Sequence, residues 1–220
     1  MTDSESWFQN IWTLREETLY REFFGDIGPT IHTIPHALFQ KIGVAQIDPR
    51  WLTHGVFESP PSPQRPHWLY VTSALSNPWG QTPLTADPAS YSGLGFEFTL
   101  HTPAQAPWAI GTLQWLMAMQ ILVATGLLDG GLLEHLDLVP LGASIDPAQN
   151  SPIRHLLITH PTGYPQRFTL PSGHVDLMLC LGITTRERDF AKTQGSSNLL
   201  ALLQHHQIHP LTTPTRISVV

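Results

Sequence analysis

One long apolar run limits what this chain can fold into. Residues 110–128, "IGTLQWLMAMQILVATGLL", contain no charged side chain. Such a run forms either a helix that crosses a membrane or a helix buried in the core of a domain. Gln114, Gln120 and Thr125 interrupt it, while Pro107 and Gly126 suit the first turn and the end of a helix. We therefore predict a central core helix.

Strands are predicted on both sides of this helix. They are rich in β-branched and aromatic residues and read "HGVFESP", "HWLYVTSAL" and "GFEFTLHT" before the helix and "RHLLITH" and "GHVDLMLCLGIT" after it. The last of them is apolar on both faces from Leu177 onward, which is typical of a central strand. A further segment, "TRISVV" at residues 215–220, is predicted to be an edge strand.

Helices are predicted at both ends of the chain. Residues 5–24 have the spacing of an amphipathic helix that ends at Gly25, and a short helix is expected after Pro35. Residues 184–207 indicate two helices separated at Gly195, with Ser196 or Ser197 as the N-cap of the second. Together these elements predict an α/β (α+β) fold, a mixed β-sheet flanked by helices, as one domain over residues 1–220.

Composition excludes several classes of partner. Charged residues make up 13% of the chain, the net charge is -6, and the eleven basic residues form no cluster, so neither nucleic acid nor a membrane surface is expected to bind. The single cysteine, Cys180, permits no internal disulfide and is predicted to be buried and inert. The N-terminal "MTDSESWFQNIW" lacks the basic residues of a signal peptide, so we expect a cytoplasmic protein.

The strand around Glu97 raises the first question about a site. Phe96, Phe98 and Leu100 alternate with Glu97, Thr99 and His101, so one face of this strand is apolar and the other is polar. We predict that Phe96 and Phe98 are buried, as are Leu177 and Leu179. Glu97 itself could be a catalytic carboxylate, a binding group or a solvent-facing residue.

Signals for catalysis are weak. The motifs of nucleophile elbows, phosphate loops, zinc proteases and paired C-x-x-C sites are all missing from the sequence. Twelve histidines are present, and His205 and His209 have the spacing of two metal ligands on one helix face. Histidines on or beside strands could also cluster with Glu97 or Asp176; these are His101, His155, His160 and His174. We expect no cofactor and no metal, and the alternative is a hydrolase or metal-dependent enzyme that uses strand-borne histidines and Glu97.

A proline-rich loop is the best candidate for an interaction surface. Residues 77–90 hold Trp79 between Pro78 and Gly80, and an exposed tryptophan on a stiffened loop is a favourable anchor for a protein partner. An extended partner segment could also pair with the edge of a nearby strand. The alternative is that Trp79 folds back and covers an edge of the core.

Several segments resemble one known family in the same order along the chain. They are "RPHWLYVTSALSNPWG", "SGLGFEFTLHT", a long helix that contains tryptophan, "SPIRHLLITHP" and "VDLMLCLGITTRERDFAKTQGSSNLLALL". This series resembles the suppressor-of-fused (SUFU) domain family. The resemblance implies a non-enzymatic module that binds other proteins.

The same resemblance implies which residues surround the peptide-binding face. Tyr70 stands at the aromatic position of the H-W-x-Y strand and Glu97 at the acid of the G-F-E strand. With Asn77 and Trp79 of the proline-rich loop, they are the candidate partner-binding residues. In the animal member such a domain is one lobe of a two-lobed clamp that holds Gli transcription factors. Bacterial members resemble stand-alone lobes, some associated with immunity to toxins. An immunity protein that neutralises a toxin, or a regulator of another partner, is therefore expected.

Overall fold

The computed structural model describes residues 3–44 and 46–220 and contains a mixed sheet. Its strands are β1 (His32–Thr33), β2 (Gly55–Ser59), β3 (Trp68–Ser73), β4 (Tyr91–Thr102), β5 (Leu138–Pro140), β6 (Ile153–Thr159), β7 (Arg167–Leu170) and β8 (Gly173–Thr184). The order across the sheet is β1-β2-β3-β4-β8-β6-β5, and β7 pairs with the first residues of β8. The β4–β8 pair is parallel and the other pairs are antiparallel. The predicted mixed sheet flanked by helices is confirmed.

Helices cover both faces of the sheet. They are α1 (Asp3–Thr13), a π-helical segment (Leu14–Leu19), α2 (Tyr20–Phe24), α3 (His36–Ile42), α4 (Pro107–Ala124), α5 (Thr185–Gln194) and α6 (Ser196–His205). The first three are continuous, so the predicted amphipathic helix is confirmed, including its end at Gly25 (φ 78°). The π-helical segment within it is not evident from the sequence pattern.

The long apolar helix α4 lies against β2, β3 and β4. It packs through Leu113, Leu116 and Met117 onto Phe98 and Leu100, and all five side chains are buried. By length and composition α4 is also the one described helix that could cross a membrane. Its apolar character is accounted for by its position in the core, as predicted.

The opposite face of the sheet is covered by two groups of helices. The N-terminal helical segments bury Ile11, Tyr20 and Phe24 against Leu69 and Leu177. Helices α5 and α6 bury a separate group against β6 and β8, which contains Leu157, Leu181, Ile183, Leu199 and Leu203. Consequently β4 and β8 are buried on both faces, and the predicted burial of Phe96, Phe98, Leu177 and Leu179 is confirmed.

Two predictions near the C-terminus are wrong. Residues 215–220 form no strand. Arg216 turns inward, and its guanidinium donates to both carboxylate oxygens of Glu187, at 2.6 and 2.7 Å. Helix α6 is preceded by Gly195 and has no side-chain cap, so neither Ser196 nor Ser197 caps it. The capping box lies at α5, where the Thr184 hydroxyl accepts from the Glu187 N–H and the Glu187 carboxylate accepts from the Thr184 N–H.

Cys180 lies in the middle of β8 with its side chain fully buried. Burial raises the pKa of the Cys180 thiol, so the reactive thiolate is disfavoured. A thiol reagent is therefore expected to label Cys180 only after denaturation. We expect the labelling rate of the folded protein to be less than roughly one tenth of the rate of the denatured protein, because unfolded molecules are rare under native conditions. Rapid labelling under native conditions would contradict the inert role.

Candidate functional site

The candidate site is built on residues 74–77, which follow β3 and precede Trp79; we call them the pinned segment. The backbone of this segment is bonded to β4, since the Leu94 N–H donates to the Leu75 carbonyl at 2.8 Å and the Ser92 hydroxyl donates to the Ser76 carbonyl at 2.7 Å. Ala74 has a φ of 97°, a conformation that residues other than glycine rarely adopt. The segment keeps this shape because its surroundings hold it from several sides.

Glu97 holds the pinned segment from below. Its Oε1 accepts hydrogen bonds from the Ala74 N–H at 3.0 Å, the Ser76 N–H at 2.9 Å and the Ser76 hydroxyl at 2.7 Å. Its Oε2 accepts from the Thr72 hydroxyl at 2.6 Å. Burial raises the pKa of Glu97, while these donors and the charge of Arg15 act in the opposite direction. Glu97 is therefore a buried acid that bonds to the pinned segment, and the solvent-facing alternative is wrong.

Arg15 is the counter-charge, and it comes from the π-helical segment. Its side chain is fully buried, and Nη1 donates to the Ser76 hydroxyl at 3.1 Å and to the Asn77 Oδ1 at 2.7 Å. Its Nη2 donates to Glu16 Oε1 at 3.0 Å, an oxygen that also accepts from the Ser73 hydroxyl. The Ser76 hydroxyl thus bridges Arg15 and Glu97. This network of buried charges connects the N-terminal helix to the base of the loop.

The glycines of "SGLG" allow the pinned segment to approach β4. Gly93 (φ 58°) and Gly95 (φ 85°) lie at a shift in register between β4 and β8. A Cβ atom at Gly93 would come within 2.5 Å of the Asn77 carbonyl oxygen and 2.6 Å of the Leu75 carbonyl oxygen. Glycine is therefore required at this position by both backbone conformation and space.

Trp79 projects from this base and is 38% exposed. One side of its ring contacts Phe8 of α1, with centroids 4.5 Å apart, and the guanidinium carbon of Arg50 lies 5.3 Å from its ring centroid. The ring therefore covers neighbouring side chains and still presents surface to solvent, and its role as a binding anchor stays a prediction.

Trp79 forms one wall of an open pocket of about 240 Å³, which we call the Trp79 pocket. Its other walls come from the pinned segment, β4, the end of α4 and the short 3-10 helix Pro49–Thr53. The lining is mainly apolar and includes Trp51, Leu75, Leu94 and Ile121.

The polar groups of the Trp79 pocket carry little net charge. Burial, together with the charge of Arg15, lowers the pKa of His54 to about 4, so His54 is neutral at pH 7. The Arg50 guanidinium is paired with the Asp48 carboxylate, which lowers the pKa of Asp48. A neutral, apolar side chain is the group that such a pocket is suited to receive.

The four candidate partner-binding residues occupy different depths. Trp79 is at the surface, and Asn77 lines the pocket although it is 5% exposed. Tyr70 is fully buried, and its hydroxyl oxygen accepts from the Ala106 N–H at 2.6 Å. Glu97 is fully buried beneath the loop. Direct contact with a partner stays a prediction for Trp79 and Asn77. Glu97 supports the pinned segment, whereas Tyr70 bonds to the start of α4, away from the end of α4 that lines the pocket.

The histidines that the sequence offered as one cluster lie apart. His101 bonds to His67, His155 lies near Thr185, His160 stacks on His135, and His174 bonds to Thr169. None of these contacts involves Glu97. His205 ends α6 and His209 lies beyond it, so the two do not share a helix face. Within residues 3–44 and 46–220, no group of three histidine, cysteine or acidic side chains is placed to hold a metal ion.

Sequence reasoning missed Arg15, Phe8 and His54. Each comes from a segment distant in sequence from Trp79, and no local motif marks it. The one available signal was Arg15 within the otherwise acidic and apolar "LREETL", since a lone cation on the inner side of a helix requires a partner.

Comparison with known proteins identifies the fold. The family model described as suppressor of fused protein (SUFU) matches residues 44–217. A SUFU homolog from Neisseria gonorrhoeae has a similar structure, with a TM-score of 0.62 and 21% identity over 98% of both chains. A search of curated proteins gives no match.

Two further structures share the fold. A chain of a Sufu–Fu complex has a TM-score of 0.60 and 20% identity, covering 86% of this chain and 93% of that one. Drosophila Suppressor of Fused has a TM-score of 0.58 and 21% identity, and the match covers 76% of this chain and 42% of that one. The mixed sheet with helices on both faces is therefore the fold of SUFU-like domains. The chain belongs to the suppressor of fused family.

Proposed function

We propose that this protein is a non-enzymatic module that binds another protein by taking an apolar or aromatic side chain of an extended segment into the Trp79 pocket. The observation that carries the proposal is a half-exposed tryptophan held on a rigid base beside an apolar pocket. Large aromatic side chains on pre-organised surfaces are the usual anchors of protein interfaces. A relative with the same fold was solved as a Sufu–Fu complex, which supports a role in protein binding.

We propose insertion of a partner side chain into the Trp79 pocket, rather than the pairing of an extended partner segment with a strand edge that the sequence suggested. β3 and β4 are interior strands, with partners on both sides, and the pinned segment occupies the remaining part of β4. Neither strand therefore offers a free edge to a partner.

A toxin or a regulated factor is the partner that the family resemblance favours. Co-expression with a protein encoded beside this gene would test the idea. If that protein is a toxin, we expect this chain to restore growth and Trp79→Ala to reduce the rescue. A neighbour that is toxic and unaffected by this chain would count against immunity.

The enzymatic alternative, which uses Glu97 with strand-borne histidines, has less support. Glu97 makes its four hydrogen bonds with Thr72, Ala74 and Ser76, and it lies beneath the pinned segment. A general base must reach its substrate, and this carboxylate is enclosed.

Trp79→Ala tests the binding proposal. Trp12→Ala is the matched control, because Trp12 is 36% exposed and does not line the Trp79 pocket. Peptides would be selected from a random displayed library on the wild-type protein, and their affinities measured by calorimetry. We expect selected peptides to share an apolar or aromatic residue and to lose about 2 kcal/mol, roughly 30-fold, on Trp79→Ala. Trp12→Ala should leave affinity unchanged.

The stability of the same variant separates binding from folding. Loss of the Phe8 and Arg50 contacts is expected to cost about 1 kcal/mol of unfolding free energy. Equal affinity of the selected peptides for folded Trp79→Ala and wild-type protein would overturn the proposal and leave Trp79 as a cover of the core edge.

A further inference from the structure

A second pocket, of about 390 Å³, lies at the end of α2 and shares no lining residue with the Trp79 pocket. We call it the His67 pocket. The pocket is lined by aromatic side chains and by basic side chains. They include Phe23, Phe24, Tyr164, Arg65, His67 and His101. An apolar wall beside a group of polar side chains is the usual construction of a small-molecule site.

A chain of hydrogen bonds leads from this pocket into the core. His67 Nε2 lies 2.7 Å from His101 Nδ1, and His101 Nε2 lies 2.9 Å from the Tyr164 hydroxyl. The Tyr164 hydroxyl donates to the Thr99 hydroxyl at 2.8 Å, and Thr99 donates to the Met178 carbonyl. Because Tyr164 uses its one proton on Thr99, His101 Nε2 must donate to Tyr164, and His101 Nδ1 must accept from His67 Nε2.

This polarity leaves one imidazole nitrogen available. His67 Nε2 carries its proton toward His101, so Nδ1 of neutral His67 holds a lone pair, and none of the described residues bonds to it. A proton added at Nδ1 would create a donor and leave every hydrogen bond of the chain in place.

Arg65 places a positive charge at the pocket, and no carboxylate of the described residues pairs with it. Its guanidinium donates to the carbonyl oxygens of Phe24, Ser59, Pro60 and His67 and to the Ser59 hydroxyl. Carbonyl groups satisfy its hydrogen bonds, but their dipoles do not neutralise the charge. Exposed Glu22 is the one acid among the described lining residues.

The charged groups that act on the two imidazoles are basic. Burial lowers the pKa of His67, and the Arg65 charge lowers it further. Burial also lowers the pKa of His101 well below its usual value, with further lowering by His67, Arg65 and His209. In the free protein the imidazoles are therefore held neutral beside an arginine, an arrangement that an anion would relieve.

We propose that the His67 pocket binds the carboxylate of a small organic acid, whose apolar body packs on Phe23, Phe24 and Tyr164, and that His67 takes up a proton at Nδ1 when the acid binds. The protonated His67 donates to the carboxylate through Nδ1 and retains its donation to His101 through Nε2. Arg65 contributes its charge at short range without changing its own hydrogen bonds.

Linkage between binding and protonation fixes the pH dependence. The bound anion raises the pKa of His67, so affinity increases as pH falls from the pKa of the complex to the lower pKa of the free protein. Within that window one proton is taken up per anion, and affinity changes about tenfold per pH unit. Below the pKa of the free protein the affinity levels off.

Benzoate is a suitable probe, because it joins a carboxylate to an aromatic body; benzyl alcohol and inorganic phosphate are the comparisons. Calorimetry at pH 7 in buffers of different ionisation enthalpy measures proton uptake, and NMR of the imidazole nitrogens reports which histidine is protonated. We expect benzoate to bind with uptake approaching one proton and to raise the pKa of His67. Benzyl alcohol and phosphate should each bind at least tenfold more weakly, since each lacks one of the two features.

His67→Gln should weaken benzoate binding at least tenfold and remove the pH dependence, whereas His36→Gln, at an exposed position on α3, should change neither. The NMR titration of the wild-type protein gives a result even if His67→Gln fails to fold. Equal binding of benzoate and benzyl alcohol, tighter binding of phosphate, or benzoate binding with no change at His67 would each overturn the proposal. Trp79→Ala should leave benzoate binding unchanged, so the two pockets are tested independently.

Discussion

Replacing Glu97 with alanine is expected to lower the free energy of unfolding by about 3–5 kcal/mol, because several buried donors lose their acceptor at roughly 1–3 kcal/mol each. The change leaves the N–H groups of Ala74 and Ser76 without their acceptor and removes one of the two acids near the buried Arg15, which keeps its ion pair with Glu16. Denaturation in urea, followed by circular dichroism, measures the loss.

Two controls separate the network from a general loss of side-chain volume. Glu97→Gln keeps one acceptor oxygen and is expected to lose less than alanine. Glu134→Ala removes an exposed acid and should change stability by less than about 0.5 kcal/mol. A Glu97→Ala loss below about 1 kcal/mol would mean that water or other groups replace the carboxylate, and the pinned segment would not depend on it.

Phe98→Ala is expected to cost a similar amount, about 3–5 kcal/mol, by a different mechanism. Phe98 is fully buried on the α4 face of β4, with the Phe96 ring 5.1 Å away, so truncation opens a cavity that close packing cannot fill. Thermal and urea unfolding measure the change. Phe98→Leu, which keeps most of the volume, should lose much less. A small effect from alanine would show that α4 moves in to close the space.

The core was predictable because its signals are periodic. Alternation in "GFEFTLHT" correctly indicated that Phe96 and Phe98 are buried, and apolar residues on both faces of "VDLMLCLGIT" correctly placed β8 inside the sheet. The short strands β1, β5 and β7 span two to four residues, too few for a period to emerge.

The polar face of β4 shows where periodicity stops being informative. Alternation places Glu97 and Phe98 on opposite faces of β4, but it does not indicate which part of the chain covers the face that carries Glu97. Here the N-terminal helical segments cover it, and Arg15 supplies the charge that makes a buried acid tolerable. Such a pairing depends on long-range packing, which one sequence does not reveal.

The histidine contacts were unpredictable for a similar reason. The sequence suggested His101 as part of a set with His155, His160 and His174, whereas the structure pairs it with His67 across the β3–β4 ladder. Residue type indicated that histidine side chains on neighbouring strands could form contacts. The register of β3 and β4 determines that His67 is the histidine that contacts His101.

The N-terminal helix lends two side chains to the Trp79 pocket: Phe8 packs on the Trp79 ring, and Arg15 fixes Asn77. The match to the family model begins at Val44, after this helix. Trp79 and Asn77 are thus supported by a stretch of chain outside the range that the family model matches. Removing the N-terminal helix would therefore take Phe8 from the Trp79 ring and Arg15 from Asn77 together, although the family match begins only after it.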